Sequence, residues 1–206
     1  MKKFLQAIGL LLIAIVALLA MDYTQHPFSL PKAAHSVQQQ IPALPGISHN
    51  DTGKVSGPPT ISVEQINTVL CTFGSPACGK GQSLYNYGKQ YNIDPVYALA
   101  FFQHESRFGA AGEARKTLSL GNLRCIPDRP CVDQDRGGYA QFYSWEDGFQ
   151  HWFSLIRNVY IAQWHRETVA AILEKYAPAD DNNDPNSYAQ SVLHAVAVWR
   201  SGKVAL

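Results

Sequence analysis

Apolar positions recur along this chain in different rhythms. Phe4 to Met21 is almost unbroken, interrupted only by Gln6 and Gly9 and led by Met1-Lys2-Lys3. Such a run predicts a signal peptide or a single membrane span over 1–21. Leu18 occupies the outer small position of any cleavage site in Ala17-Leu18-Leu19-Ala20, which tilts the reading to an uncleaved anchor. Over 22–60 no helical or strand period persists. Pro27, Pro31, Pro42, Pro45, Pro58 and Pro59 favour extended chain there, so the segment reads as a flexible Pro-rich linker.

Helical spacing returns from about residue 61, and 61–206 reads as the folded domain. Ser62-Val63-Glu64-Gln65 resembles a capping box before a short helix ending near Cys71. Gly81 to Tyr91 predicts a second helix, with Leu84, Tyr87 and Tyr91 on one side. Asp94-Pro95 opens a third, since Asp can cap and Pro suits the first helical position; Gly109 to Gly112 ends it. From Gly112 to Phe142 the period is lost, with strand-like pieces at Thr117–Leu120 and Tyr139–Tyr143. Ser144-Trp145-Glu146-Asp147 then starts a long helix carrying Phe149, Trp152, Phe153, Ile156 and Tyr160. A shorter helix over Glu167–Tyr176 and a last one from Asp184-Pro185 to Gly202 follow. The fold class predicted is mainly α, of the α+β kind: a helical body with a small loop or β-hairpin lobe forming a cleft.

One position breaks the apolar logic. Ala98, Phe101, Phe102 and Glu105 share a helix face by the i, i+3, i+4, i+7 rule, so a carboxylate continues an apolar stripe. A frayed helix end would leave Glu105 in water. At the mouth of a cleft, desolvation would favour its protonated form, as a general acid of sugar hydrolysis requires.

Composition narrows the classes. A formal net charge of +1 over 206 residues gives no footprint for nucleic acid. No phosphate loop or dinucleotide fingerprint occurs. His104, His151, His165 and His194 lack metal-ligand spacing, so no metal and no cofactor is expected. Cys71, Cys78, Cys125 and Cys131 form two close pairs, each enclosing Pro. Four cysteines allow three pairings. The two local bridges are favoured over zinc, because the spacings are wide for paired ligands and export implies oxidation.

The order of signals then carries a resemblance. Gln103-His104-Glu105-Ser106-Arg107-Phe108-Gly109 is followed by Leu120-Gly121-Asn122-Leu123-Arg124. Then come Gly138-Tyr139-Ala140-Gln141-Phe142-Tyr143-Ser144-Trp145-Glu146-Asp147-Gly148-Phe149, Tyr176, and Asn186-Ser187-Tyr188-Ala189. Over roughly Ile61 to Trp199 this resembles the glucosaminidase-type peptidoglycan hydrolases of the lysozyme-like superfamily. The Glu-Ser-x-x-Gly element alone is shared with lytic transglycosylases and goose-type lysozymes; the ordered set is more specific.

The resemblance implies a hydrolase of β-1,4 bonds in glycan strands, of the endo-β-N-acetylglucosaminidase type, with Glu105 as general acid. It implies substrate contacts from Asn122, Tyr139, Gln141, Phe142 and Tyr188. The family often has Tyr where this chain has Phe142, so Tyr139 or Tyr143 would have to supply that hydroxyl. Family members often carry a second carboxylate in the small lobe; Asp133 and Asp135 rank ahead of Asp128 here. Peptidoglycan is the implied partner, with the membrane reached through the N-terminal segment, and an extracytoplasmic monomer is expected. Two alternatives stay open: a lytic transglycosylase, and a non-catalytic, membrane-tethered glycan-binding domain.

Overall fold

The computed structural model describes residues 53–179 and 184–206. The predicted anchor over 1–21 lies outside the described residues, as does the linker up to residue 52. Among the described residues no helix is long and apolar enough to cross a membrane.

In chain order the helices are α1 (Val63–Thr72), α2 (Gly81–Tyr91), α3 (Pro95–Ser106) and the one-turn α4 (Ala114–Thr117). A hairpin of β1 (Cys131–Val132) and β2 (Tyr139–Ala140) follows, with a 3₁₀ turn at Gln134–Arg136 between the strands. Then come α5 (Trp145–Ser154), a π-helix (Leu155–Gln163), α6 (Val169–Tyr176) and α7 (Pro185–Arg200). The strands pair antiparallel, Cys131 with Ala140 and Val132 with Tyr139. An isolated bridge from Arg124 to Tyr139 extends the hairpin toward α3.

Helix α3 is the axis of the body. Every residue from Pro95 to Phe102 is buried, so its first two turns have no solvent face and the predicted one-sided stripe is surrounded on all sides. Its start is fixed by charge as well as by capping. Asp94 is 2% exposed and accepts from Val96 N at 3.2 Å and Thr60 N at 3.1 Å, while Arg200 of α7 reaches it at 3.0 Å. The central helix is thereby tied to the final one at the end opposite Glu105. Stretches ahead of Ile61 also pack: Val55 is fully buried, its N–H donating to Glu167 O at 2.9 Å.

Ser62 caps α1 by accepting from Gln65 N at 3.2 Å, and Ser144 caps α5 by accepting from Asp147 N at 3.1 Å. Both local cysteine bridges are present, Cys71–Cys78 and Cys125–Cys131. A Cβ at Gly138 (φ 70°) would stand 2.7 Å and 2.9 Å from the two sulfurs of the second bridge, so that position needs glycine.

Two expectations are corrected. The strand expected at Thr117–Leu120 is instead the end of α4 and a left-handed residue, Leu118 (φ 54°). Thr117 Oγ1 donates to Glu113 O at 3.0 Å and its own carbonyl accepts from Phe142 N at 2.8 Å, which holds a β-branched residue in a turn. The single long helix expected through Tyr160 changes pitch at Leu155.

Candidate active site

Glu105 sits in the last turn of α3, where the helix ends on two left-handed residues, Arg107 (φ 47°) and Phe108 (φ 54°). Ser106 welds this end to the next turn. Its hydroxyl donates to Leu120 O at 2.8 Å and accepts from Gly109 N at 2.9 Å. Asn122 (φ 46°) donates from Nδ2 to the backbone carbonyl of Glu105 at 2.8 Å. The Glu-Ser-x-x-Gly and Leu-Gly-Asn-Leu elements are therefore one hydrogen-bonded unit.

Close backbone approach explains two glycines. A Cβ on Gly121 would fall 2.7 Å from Trp152 Cδ1 and 3.2 Å from Phe102 Cε1. A Cβ on Gly148 would fall 2.3 Å from Leu118 O. Glycine at both lets the 118–122 turn lie flat between α3 and α5.

The Glu105 carboxylate accepts a 2.6 Å hydrogen bond at Oε1 from the Tyr188 hydroxyl of α7. Tyr188 is 5% exposed, packs on Phe101 at 5.7 Å between centroids, and stacks on the His104 ring at 3.5 Å. Burial raises the pKa of Glu105; the Tyr188 hydrogen bond and the Arg124 charge oppose that without cancelling it. Burial also lifts Tyr188 and Tyr176 well above the usual phenol range and Tyr160 to about 12, with the Glu105 charge adding to each. These phenols stay protonated at neutral pH and serve as donors, not bases.

A cavity of about 730 Å³ opens over Glu105. One wall is the lobe: Asn122, Arg124, Ile126 and Tyr139. The other is the body: His151, Leu155, Tyr160, Lys175 and Tyr176. Tyr176 donates to Gly121 O at 2.9 Å and accepts from Trp152 Nε1 at 3.3 Å, so the floor is rigid. The Arg124 guanidinium lies 4.8 Å over the Tyr139 ring. His151 Nδ1 lies 2.9 Å from Asp147 O and 3.2 Å from its carboxylate.

Of the residues expected to meet substrate, Asn122 and Tyr139 line this cavity beside Glu105, and Tyr188 stands behind Glu105. Phe142 is 2% exposed against the His151 ring, and the Gln141 side chain donates to Lys116 O at 3.1 Å. Neither lines the cavity. Asp133 is ion-paired to Arg136 at 2.7 Å, and Asp135 is exposed on the 3₁₀ turn. Glu105 is the one carboxylate among the described residues lining the cavity. Among the described residues no group of three or more His, Cys, Asp or Glu could hold a metal ion.

Sequence reasoning passed over Arg124, His151, Tyr160, Lys175 and Tyr176. For Tyr160 the signal is hidden by the pitch change. Leu155 and Tyr160 are five apart and diverge on an α-helix, whereas i→i+5 bonding brings them to one wall. Arg124 and Tyr176 belong to the ordered motif set, but nothing in their local spacing points either at a cleft.

No family model matches this sequence. No curated protein matches it either. Solved structures do. S. aureus autolysin E in complex with the muropeptide NAM-L-Ala-D-iGlu aligns with TM-score 0.53 at 13% identity, over 76% of this chain and 75% of that one. A catalytic glutamate-to-alanine mutant of the same autolysin, in complex with the disaccharide NAG-NAM, aligns with TM-score 0.52 at 13% identity over the same shares. At this identity the likeness establishes the fold, which is α+β and lysozyme-like.

Proposed function

We propose that this protein cleaves β-1,4-glycosidic bonds of peptidoglycan glycan strands, as an endo-β-N-acetylglucosaminidase with Glu105 as general acid. The observation that carries the reading is a carboxyl group with a raised pKa at the floor of an open cavity, aimed by a neutral tyrosine. The autolysin E complexes, with a muropeptide and with NAG-NAM, lend the same fold a glycan-sized occupant.

In this mechanism protonated Glu105 gives its proton to the glycosidic oxygen as the bond from that oxygen to the anomeric carbon breaks. The sugar left behind develops oxocarbenium character; water entering the open cavity bonds to its anomeric carbon and gives up a proton to the Glu105 carboxylate, which resets the acid. The carboxylate that remains is stabilised by the Tyr188 hydroxyl and by the Arg124 charge. Asn122 does not touch the reacting bond in this scheme; it fixes the Glu105 backbone. Tyr139, braced by Arg124, offers a ring to a sugar on the lobe side.

A lytic transglycosylase is the second reading, favoured by one specific observation: no second carboxylate lines the cavity among the described residues. There Glu105 would act first as acid and then as base, drawing a proton from the sugar's own 6-hydroxyl. Asp133, held by Arg136, and exposed Asp135 would need the lobe to move before either could activate water.

We further place the protein outside the cytoplasm, where its two disulfides persist. Residues 1–21 would tether or export it as a monomer. The test is mass spectrometry of peptidoglycan digested by the full chain and by Glu105→Gln. Reducing-end N-acetylglucosamine from the native chain alone is the expected result. A 1,6-anhydro-muramic acid end would mean transglycosylation, and a reducing N-acetylmuramic acid end a muramidase. Glycan binding without products from either would leave a binding domain.

A further inference from the structure

The charge of the cavity is lopsided. Glu105 is its one acid among the described residues, while Arg124, Lys175 and His151 line the same space. Arg124 works against the acid: a cation in its field favours ionised Glu105. Its charge steadies the carboxylate left after proton transfer, a task that calls for no second cation on the other wall.

Arg124 and Lys175 come from different walls. Arg124 follows the Asn122 turn on the lobe, and Lys175 lies in the last turn of α6 on the body. Both are exposed. A cation in a helix's last turn complements the helix dipole, but that does not require its side chain to border the cavity. The Lys175 ammonium has no hydrogen bond or ion pair to another described residue. Arg124 spends one N–H on Arg136 O at 3.2 Å and rests on Tyr139; a guanidinium has five.

We propose that this cleft selects anionic glycans, with Arg124 and Lys175 binding a carboxylate carried by a sugar next to the scissile bond. The inference rests on the glycan-strand reading above and adds a charge requirement to it. An acidic sugar would meet one cation from each wall, with the Arg fork matching the planar carboxylate. The carboxylate can be the lactyl acid of a muramic residue or an acid of the peptide attached there. Either supplies a negative charge beside the strand, the lactyl acid at the sugar itself and the peptide's acid further out along its stem.

The test separates binding from cleavage. The full chain carrying Glu105→Gln is titrated with three soluble glycans: peptide-free peptidoglycan chains with free lactyl carboxylates, the same chains converted to methylamides, and peptide-bearing chains. The expected result is affinity about tenfold higher for a carboxylate chain than for the methylamide at low salt, with the gap closing as salt rises. Tightest binding by peptide-free chains assigns the sugar's own acid; tightest binding by peptide-bearing chains assigns the peptide. Lys175→Gln added to that background narrows the gap about threefold, and Arg124→Gln does the same or more, while Arg124→Lys, which keeps the charge but not the fork, restores part of it. Arg124→Lys also guards against a lobe disturbed at Tyr139. Equal affinity for all three glycans overturns the proposal, as does a gap untouched by both Lys175→Gln and Arg124→Gln. Residual cleavage by Glu105→Gln would instead defeat the assigned acid, leaving the charge gap to be read on its own.

Discussion

The two walls of the cleft are held together by different physics. The body wall is an aromatic pile. Phe101 meets Trp152 at 5.5 Å, Tyr176 at 5.4 Å and Tyr188 at 5.7 Å, and Phe102 meets Phe149 and Trp152 at 5.7 Å and 5.3 Å. The lobe wall has a hairpin of two-residue strands and little core of its own. It is held by the Cys125–Cys131 bridge, by the Arg129 fork on Asp147 at 3.1 Å and 2.8 Å, and by Arg136 on Glu113 and Asp133 at 2.6 Å and 2.7 Å. A wall made of buried rings can hold an acid in a dry site. A wall made of charges and a covalent loop can be shaped to a polar polymer, and it responds to salt, pH and reductant.

The largest expected effect tests the body wall. Glu105→Gln removes the transferable proton but keeps the shape, so cleavage should fall by about 10²–10⁴-fold while the chain stays folded. A variant retaining native turnover in a dye-release assay would refute Glu105 as the acid. Next, Phe102→Ala should cost about 3–5 kcal/mol in denaturant unfolding, because it opens a cavity under Gly121, Phe149 and Trp152.

The lobe should break more gently and more locally. Cys125→Ser with Cys131→Ser removes a short-loop crosslink, costing about 2 kcal/mol. Amide exchange should quicken over 124–141 while α3 and α7 stay protected. Quickening spread evenly through both walls would erase the distinction drawn between them.

The walls should also respond oppositely to pH. Glu105 has a raised folded-state pKa, so its contribution to stability is full below the unfolded value and is lost as pH rises through the folded one. Glu105→Gln is therefore expected to be more stable than the native chain at pH 7, with the two converging in acid. Burial alone would raise Asp147, but the Arg129 fork and the Tyr143 N–H outweigh it and leave its pKa lowered. Its contribution is present above the unfolded carboxylate range and fades as pH falls through the folded value. Acid should loosen the lobe before the body, a sequence visible as chemical-shift changes at Tyr143 ahead of Phe101. Tyr188→Phe removes a bond that lowers the Glu105 pKa, so the alkaline limb of any pH–rate profile should move up. The smallest effect belongs to the rim of the fold: Lys54→Ala breaks an exposed pair with Glu167 and should leave the denaturant midpoint unchanged.

How much of this was legible in the residues differs between the walls. Asp94-Pro95 marks the start of α3 correctly and Gly109 to Gly112 marks its end to within a turn of Ser106, because caps and punctuation act over a few residues. Glu105 stood out because a carboxylate continued an apolar row. Both cysteine bridges matched the local pairing favoured from their spacing. The lobe was read only as a loop-and-hairpin region. Its strand-like piece at Tyr139 is β2, whereas the one at Thr117 is a turn, where side-chain hydrogen bonding outweighs β preference.

The sequence by itself determined the helix starts, the cysteine pairs and the candidate acid, since each depends on neighbours within one or two turns. Tertiary structure alone decided what surrounds that acid. Tyr188 lies 83 positions from Glu105 and Tyr176 lies 55 from Gly121, and only packing of α7 and α6 onto α3 brings their hydroxyls into place. The π-helix at Leu155 decided that Tyr160 faces the cleft, and the lobe's fold brought Arg124 to the same cavity as Lys175. Burial, which sets the proton affinity of Glu105, belongs to no local stretch; it is created when these distant rings close over the end of α3.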